Sequence, residues 1–365
     1  MAARRRRAIS DWRWPTRPWP GRPTGLPGFP SLGLVGQDAT MPPEFRFEDA
    51  PRYGEVEQLS PLVRRVVANN PSKFTYHGSG TFIIGPSGNS DQVAIIDAGP
   101  SDDDHVAAVL RAVDGQRVTH LLVTHTHPDH SPATAAIQAT TGAPSFGFGP
   151  HPPEAIQAHD ERVRKAIEAG EEPESEDGEG AGDRDFVPDV VTGDGDIIAG
   201  QGFTFEALHT PGHISNHLCF SLREENTLFT GDHVMGWSTT VVPAPDGDLN
   251  DYLANLRRLL NRPETTYRPT HGPAITDPIS YVSSLIEHRE HRERQIVDAL
   301  ADGPRDIESI VADLYADVDE KLHKAAAAVV YAHLLALSRA GRATTDGAAG
   351  GTADDPIWKA DWRLV

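Results

Sequence analysis

One cysteine, Cys219, occurs in 365 residues, and a lone thiol closes no internal disulfide. A disulfide-stapled secreted scaffold is excluded, and the composition suits a reducing cytoplasm. Cys219 lies in the apolar run HLCFSL, where burial as an inert thiol is expected. No stretch approaches 18 uninterrupted apolar residues, so no membrane-spanning helix is expected. Positive charge is scarce beyond the first forty residues. The formal net charge is −20, and residues 1–40 hold seven arginines against two aspartates, which leaves −25 on residues 41–365. Such an acidic body does not draw in polyphosphates through its overall field. Tight non-specific nucleic-acid binding is disfavoured, and only a local basic patch could serve that purpose.

With 38% apolar residues, the chain can bury a core large enough for one main domain and an appendage. Residues 1–40 are rich in arginine, proline and tryptophan and show neither helical nor strand periodicity. They lack the apolar centre of a secretory signal, and their prolines block the amphipathic helix of a transit peptide. Two readings remain: a disordered tail, or a leader that precedes a true start at Met41. The pattern is globular over 41–277, interrupted at 171–186 by EEPESEDGEGAGDRDF, whose eight acids and one arginine predict a solvated loop. Residues 278–365 read as a small helical or winged-helix-like module. It holds the helical segments ISYVSSLIEHREHRERQIVDAL, RDIESIVADLY and EKLHKAAAAVVYAHLLALSRAGRA, and then the hairpin-like GRATTD. A packing or homodimerising role suits this acid-flanked module at least as well as nucleic-acid binding.

Within 41–277, GTFIIG and VAIIDAGP predict a hairpin. SDDDHVAAVLRAV predicts a helix with an acidic first turn, and VTHLLVTH a buried strand. Ser131 and Pro132 read as the cap and first position of the next helix, which stops at Gly142. Alternating strands and helices indicate a layered α/β domain.

The segment THTHPDH, residues 124–130, sits where that buried strand meets that helix. His125 and His127, at i and i+2 on an extended segment, project to one side as zinc-type ligands. Asp129 and His130 follow as the chain turns and address a neighbouring volume, about one metal–metal distance away, roughly 3.5–4 Å. One ion does not easily accept all four. Further donors stand at the ends of later apolar runs: His213 in LHTPGH, Asp232 in LFTGDH and His271 in PTHGPA. Asp232 follows a glycine that permits a tight turn.

This ordered set, HxHxDH followed by H, D and H, resembles the metallo-beta-lactamase superfamily over roughly residues 75–275, with Asp97 in IIDAGP matching the first motif. The resemblance implies an αββα sandwich, two sheets with helices on both outer faces. It also implies two divalent metal ions, zinc foremost, although manganese and iron accept such donors too. His125, His127 and His213 would hold the first ion and Asp129, His130 and His271 the second, with Asp232 bridging. Two cations sharing a water lower its pKa towards neutrality and make hydroxide available, and Asp129 would orient it. His217 would be a packed or supporting neighbour of the site or reach the substrate pocket. Trp237, Thr239 and Thr240 in GWSTTVVP would line that pocket.

A narrower likeness, carried by HTPGHISNHLCF, LFTGDHVMGWSTTV, YLANLRRLL and the HREHRERQI helix, is to the beta-lactamase-like protein 2 endoribonucleases. It makes single-stranded RNA the first substrate expectation. Arg289, Arg292 and Arg294 become candidates for phosphate or interdomain contacts, although a solvated face paired with Glu287, Glu290 and Glu293 is the stronger expectation. The alternative is a small-molecule substrate: an ester, thioester, lactone or beta-lactam. Rivals of other classes are a mononuclear iron persulfide dioxygenase and a non-catalytic metal-binding scaffold.

Overall fold

The computed structural model describes residues 43–88, 91–170, 181–316, 323–346 and 359–365, and within them two sheets pack into a sandwich. The first sheet runs in sequence order through β1 (Val56–Gln58), β2 (Val63–Val67), β3 (Gly80–Ile84), β4 (Gln92–Ile96), β5 (Arg117–Leu122), β6 (Ser145–Gly147) and β7 (Val190–Val191). Its first four strands are antiparallel and β4 to β7 are parallel. Parallel neighbours need crossovers, and α1 (Asp103–Ala112), α2 (Thr134–Thr141) and α3 (Pro153–Ala169) supply them. The second sheet has the order β12-β11-β10-β9-β8. It comprises β8 (Ile197–Gly200), β9 (Phe203–His209), β10 (Leu218–Leu222), β11 (Thr227–Gly231) and β12 (Thr266–Pro269). Only the β11–β12 pair is parallel, and α4 (Leu249–Leu259) crosses between them.

Alternation along the strands decides which face each side chain covers. Phe82 and Ile84 of β3 enter the core between the sheets with Phe205, Phe220 and Phe229. Ile83, between them, turns outward onto Val109 of α1 and Ile137 of α2. On the far side, Leu208, Cys219 and Leu228 pack against Tyr252 and Leu256 of α4 and against Val282 of the next helix. Helices thus cover both outer faces of the sandwich, as the αββα expectation requires. Cys219 is fully buried and its thiol is pushed up to about 12 by that burial, so it is inert.

The helix expected from Ser131 starts later. Ser131 Oγ donates to Asp183 at 2.7 Å instead of capping, and α2 begins at Thr134 with no side-chain cap. Gly142 ends it in the left-handed conformation, as expected. The same contact revises the acidic segment. Residues 171–180 lie outside the described residues, but Ala181 and Phe186 are buried and Asp183 N–H donates to the Thr126 carbonyl at 2.8 Å. The end of that segment is anchored at Ala181, Asp183 and Phe186, while Arg184 and Asp185 stay exposed. Residues 1–40 also lie outside the described residues.

The C-terminal module comprises α5 (Pro278–Ala301), α6 (Ile307–Leu314), α7 (His323–Arg339), β13 (Ala343–Thr345) and β14 (Trp362–Leu364). The GRATTD segment supplies β13, whose antiparallel partner is the last strand of the chain, so the wing closes over distance and not within that turn. α5 belongs to two cores at once. Tyr281, Val282, Leu285 and Ile286 pack on the second sheet, whereas Ile296 and Leu300 pack with Ile310, Val330 and Trp362. No helix among the described residues is long and apolar enough to cross a membrane.

Candidate metal centre

The seven donors expected from the sequence converge at one end of the sandwich, where the chain leaves β5, β9, β11 and β12. His125 Nε2 lies 2.9 Å from His127 Nδ1, and His213 Nε2 lies 3.0 Å from the same atom. On the other side, Asp129 Oδ2 stands 3.1 Å from His271 Nε2 and 3.4 Å from His130 Nε2. Asp232 faces both groups. Its Oδ1 is 3.4 Å from His271 and 3.6 Å from His130, and its Oδ2 is 3.9 Å from His213. The donor atoms of His125, His127 and His213 lie within 4.8 Å of one another, as do those of Asp129, His130 and His271.

The two halves differ electrostatically. Burial, with crowding by neighbouring histidines, holds His125 and His127 well below the usual imidazole range, and burial lowers His213 despite Asp232. A neutral imidazole is the form that ligates metal. Burial also pulls on His130 and His271, but the carboxylates of Asp129 and Asp232 around them, with Asp97 beside His130, outweigh it and raise both. Burial alone would raise Asp129 and Asp232, yet these histidines reverse the sign and keep both ionised.

This donor set fits divalent cations. His130 Nε2 and Asp232 Oδ1 are buried without a hydrogen-bond partner, and such atoms are costly unless something occupies them. Three convergent imidazole nitrogens and hard carboxylate oxygens match the preferences of zinc, manganese or iron.

Supporting contacts fix His130 and Asp232. Asp97 adopts a left-handed backbone, φ 51°, and its carboxylate bonds His130 Nδ1 at 2.8 Å. His217 is buried, with Nδ1 2.8 Å from Thr210 Oγ1, while Nε2 accepts the Asp232 N–H at 3.2 Å. Both its ring nitrogens are engaged inside the protein, one on the Thr210 hydroxyl and the other on the Asp232 N–H. Gly231 makes that approach feasible: a Cβ there would lie 2.6 Å from His217 Nε2. Thr240 is buried and Oγ1 donates to the Asp232 carbonyl at 2.8 Å. Trp237 stacks on Tyr76 with centroids 5.1 Å apart, beside Gly272, and Thr239 is half-buried.

Sequence reasoning missed Ser79, Thr124 and Thr270. Ser79 Oγ donates to Asp129 Oδ2 at 2.8 Å, and Thr124 and Thr270 both donate to Asp97 Oδ2. No sequence signal singles them out, since the Thr-His dipeptide at 124–125 and 270–271 also occurs at 119–120 and 126–127. The arginine expectation is also corrected. Glu290 and Glu293 pair outside their own helix, with Arg257 of α4 and with Arg342 in the turn before β13. Arg289 is buried, Arg292 is half-buried over the Tyr315 ring, and Arg294 alone of the three is exposed.

A family model described as the metallo-beta-lactamase superfamily matches residues 78–271, and one described as the beta-lactamase associated winged helix domain matches 307–352. The chain is 31% identical to an atrochrysone carboxyl ACP thioesterase of Claviceps purpurea, over 69% of this chain and 70% of that one. An Aspergillus terreus protein of the same name is 30% identical, over 73% and 72%. A beta-lactamase domain protein from Burkholderia ambifaria superposes with a TM-score of 0.66 at 21% identity, over 87% of this chain and 96% of that one, which supports the fold.

Proposed function

The chain belongs to the metallo-beta-lactamase superfamily, and from that premise we propose that it is a metal-dependent hydrolase of acyl thioesters. The observation that carries this reading is its similarity to the Claviceps and Aspergillus thioesterases over about 70% of their lengths. RNA stood first in the sequence reading and the thioester among its alternatives, and the order is now reversed. The −25 charge on residues 41–365 favours the same choice, because an RNA strand would approach against that field.

Under this reading His125, His127 and His213 would hold one divalent ion and Asp129, His130 and His271 another, with Asp232 within reach of both groups. When bound, these ions supply Lewis acidity towards the acyl carbonyl and acidify a water. Asp129, a carboxylate whose Oδ2 also accepts the Ser79 hydroxyl, would accept a hydrogen bond from the attacking water and fix its direction. Ser79, donating to Asp129 Oδ2, holds that carboxylate in place. Among the described residues the site supplies no dedicated general acid, and a thioester is the substrate that least requires one. A thiol has a pKa near 8.5, so the thiolate departs without prior protonation, unlike the alkoxide expelled from RNA.

The test is a side-by-side assay of zinc-loaded protein on an aromatic acyl N-acetylcysteamine thioester, a single-stranded RNA and a chromogenic beta-lactam. Thiol release that is lost in Asp129→Ala is expected. RNA cleavage without thioester turnover would sink the proposal and restore the nuclease reading.

A further inference from the structure

The segment after β11 carries Asp232 at its start and is gripped by α5 at two points. Tyr281 Oη donates to the carbonyls of Met235 and Gly236 at 2.9 and 3.0 Å. About two turns further along the helix, Arg289 Nη2 donates to the Thr240 carbonyl. From there the contacts run straight to the donor set. Thr240 Oγ1 donates to the carbonyls of Asp232 and His233 at 2.8 and 3.1 Å. The next carbonyl, Val241, accepts the Nδ1–H of His213 at 2.6 Å. That bond fixes the tautomer in which His213 Nε2 offers its lone pair beside His127.

Arg289 is an unusual residue to spend on packing. It is 5% exposed, its guanidinium lies 5.6 Å over the Tyr252 ring, and its acidic neighbours Glu290 and Glu293 pair with other arginines. Burying a cation is costly, and here a backbone carbonyl and an aromatic face stabilise it.

We infer that Arg289 is a positioning residue for the metal centre, acting through Thr240 and Val241 on Asp232 and His213. The C-terminal module is then a strut of the site. This inference rests on the reading of His213 and Asp232 as ligands. Residues that orient ligands in this way typically change metal affinity by about 10- to 100-fold when removed.

The experiment measures zinc affinity of chelator-stripped full-length protein by competition with a chelating dye, for wild type, Arg289→Met, Arg289→Lys and Arg292→Met. Arg289→Met is expected to weaken binding by about 10-fold or more, with part recovered by Lys, which keeps a cationic donor. Arg292→Met, whose guanidinium lies over Tyr315, is expected to lower the thermal midpoint while leaving zinc affinity unchanged. Equal affinity in wild type and Arg289→Met overturns the inference, as does equal weakening in the two Met variants. A wild-type chain that takes up no divalent ion overturns both this inference and the ligand reading beneath it. Should Arg289→Met fail to fold, Thr240→Val decides at the next link: weakened binding supports the relay and unchanged binding overturns it.

Discussion

Asp97 Oδ2 lies 2.8 Å from His130 Nδ1, and the same oxygen accepts the hydroxyls of Thr124 at 2.8 Å and Thr270 at 2.9 Å. Oδ1 takes the Thr124 N–H at 2.8 Å. One buried carboxylate therefore ties the end of β4 to the ends of β5 and β12, across both sheets, and sets the imidazole so that Nε2 faces the site.

Asp97→Asn tests that knot with little else disturbed, because asparagine tolerates the left-handed backbone and keeps the size. An amide nitrogen would present a donor to groups that already donate. Leaving buried donors unmet costs about 1–3 kcal/mol, which urea unfolding of the stripped protein should register. Affinity for the second metal should fall by about 10- to 100-fold. Wild-type values for both would mean that His130 is oriented by something other than Asp97.

The donors were legible because each stands at the end of an apolar run, where strand periodicity stops and a polar residue has no local reason to be. Asp97, in IIDAGP, shares that property. The hydroxyls of Ser79, Thr124 and Thr270 were not legible, since serine and threonine satisfy local backbone almost anywhere. Ser131 shows the same difficulty from the other side: its hydroxyl found Asp183, and the helix began at Thr134. The wing was half legible because β13 pairs with residues 362–364, a contact no local pattern encodes. The stacking of Trp237 on Tyr76 was not legible either, because the two residues meet only in three dimensions.

Gly231→Ala should uncouple Asp232 from His217. Gly231 has φ 49°, and an added Cβ would lie 2.6 Å from His217 Nε2 and 2.9 Å from Thr124 Cβ. The backbone strain alone exceeds about 1 kcal/mol. A lower thermal midpoint together with fewer metal ions bound per chain is expected from calorimetry and elemental analysis. An unchanged metal count would show that His217 does not hold Asp232 in place.

The C-terminal module should lose stability in mild acid. Burial, then Arg289, Arg292 and His291, push His288 down to about 4, and burial with the same arginines lowers His333 well below the imidazole range. The unfolded chain binds a proton at His288 near pH 6.5, which the folded chain refuses until about pH 4. The stabilising contribution is therefore complete above pH 6.5 and is lost as pH falls from 6.5 to 4. Urea midpoints measured between pH 7 and 5 should decline, and the decline should be shallower in His288→Gln. Parallel slopes would place the acid sensitivity elsewhere, first in the buried histidines of the site.

Removing metal should cost stability and move protons. A ligand held at 1,000 times its Kd stabilises the folded chain by about 4.1 kcal/mol, so chelation should lower the thermal midpoint and added zinc should restore it. The electrostatics add a sharper expectation. His125 and His127 are held neutral and accept a cation at no proton cost, whereas His130 and His271 are raised by Asp129 and Asp232. Any proton that this raised pair holds must leave when a cation takes their nitrogens. Zinc added to stripped protein in weak buffer near pH 7 should therefore acidify the solution, with most of the release accompanying the second equivalent. Release confined to the first equivalent would mean that the Asp129, His130 and His271 group fills before the three-histidine group. No release at all would mean that the cation does not reach His130 and His271.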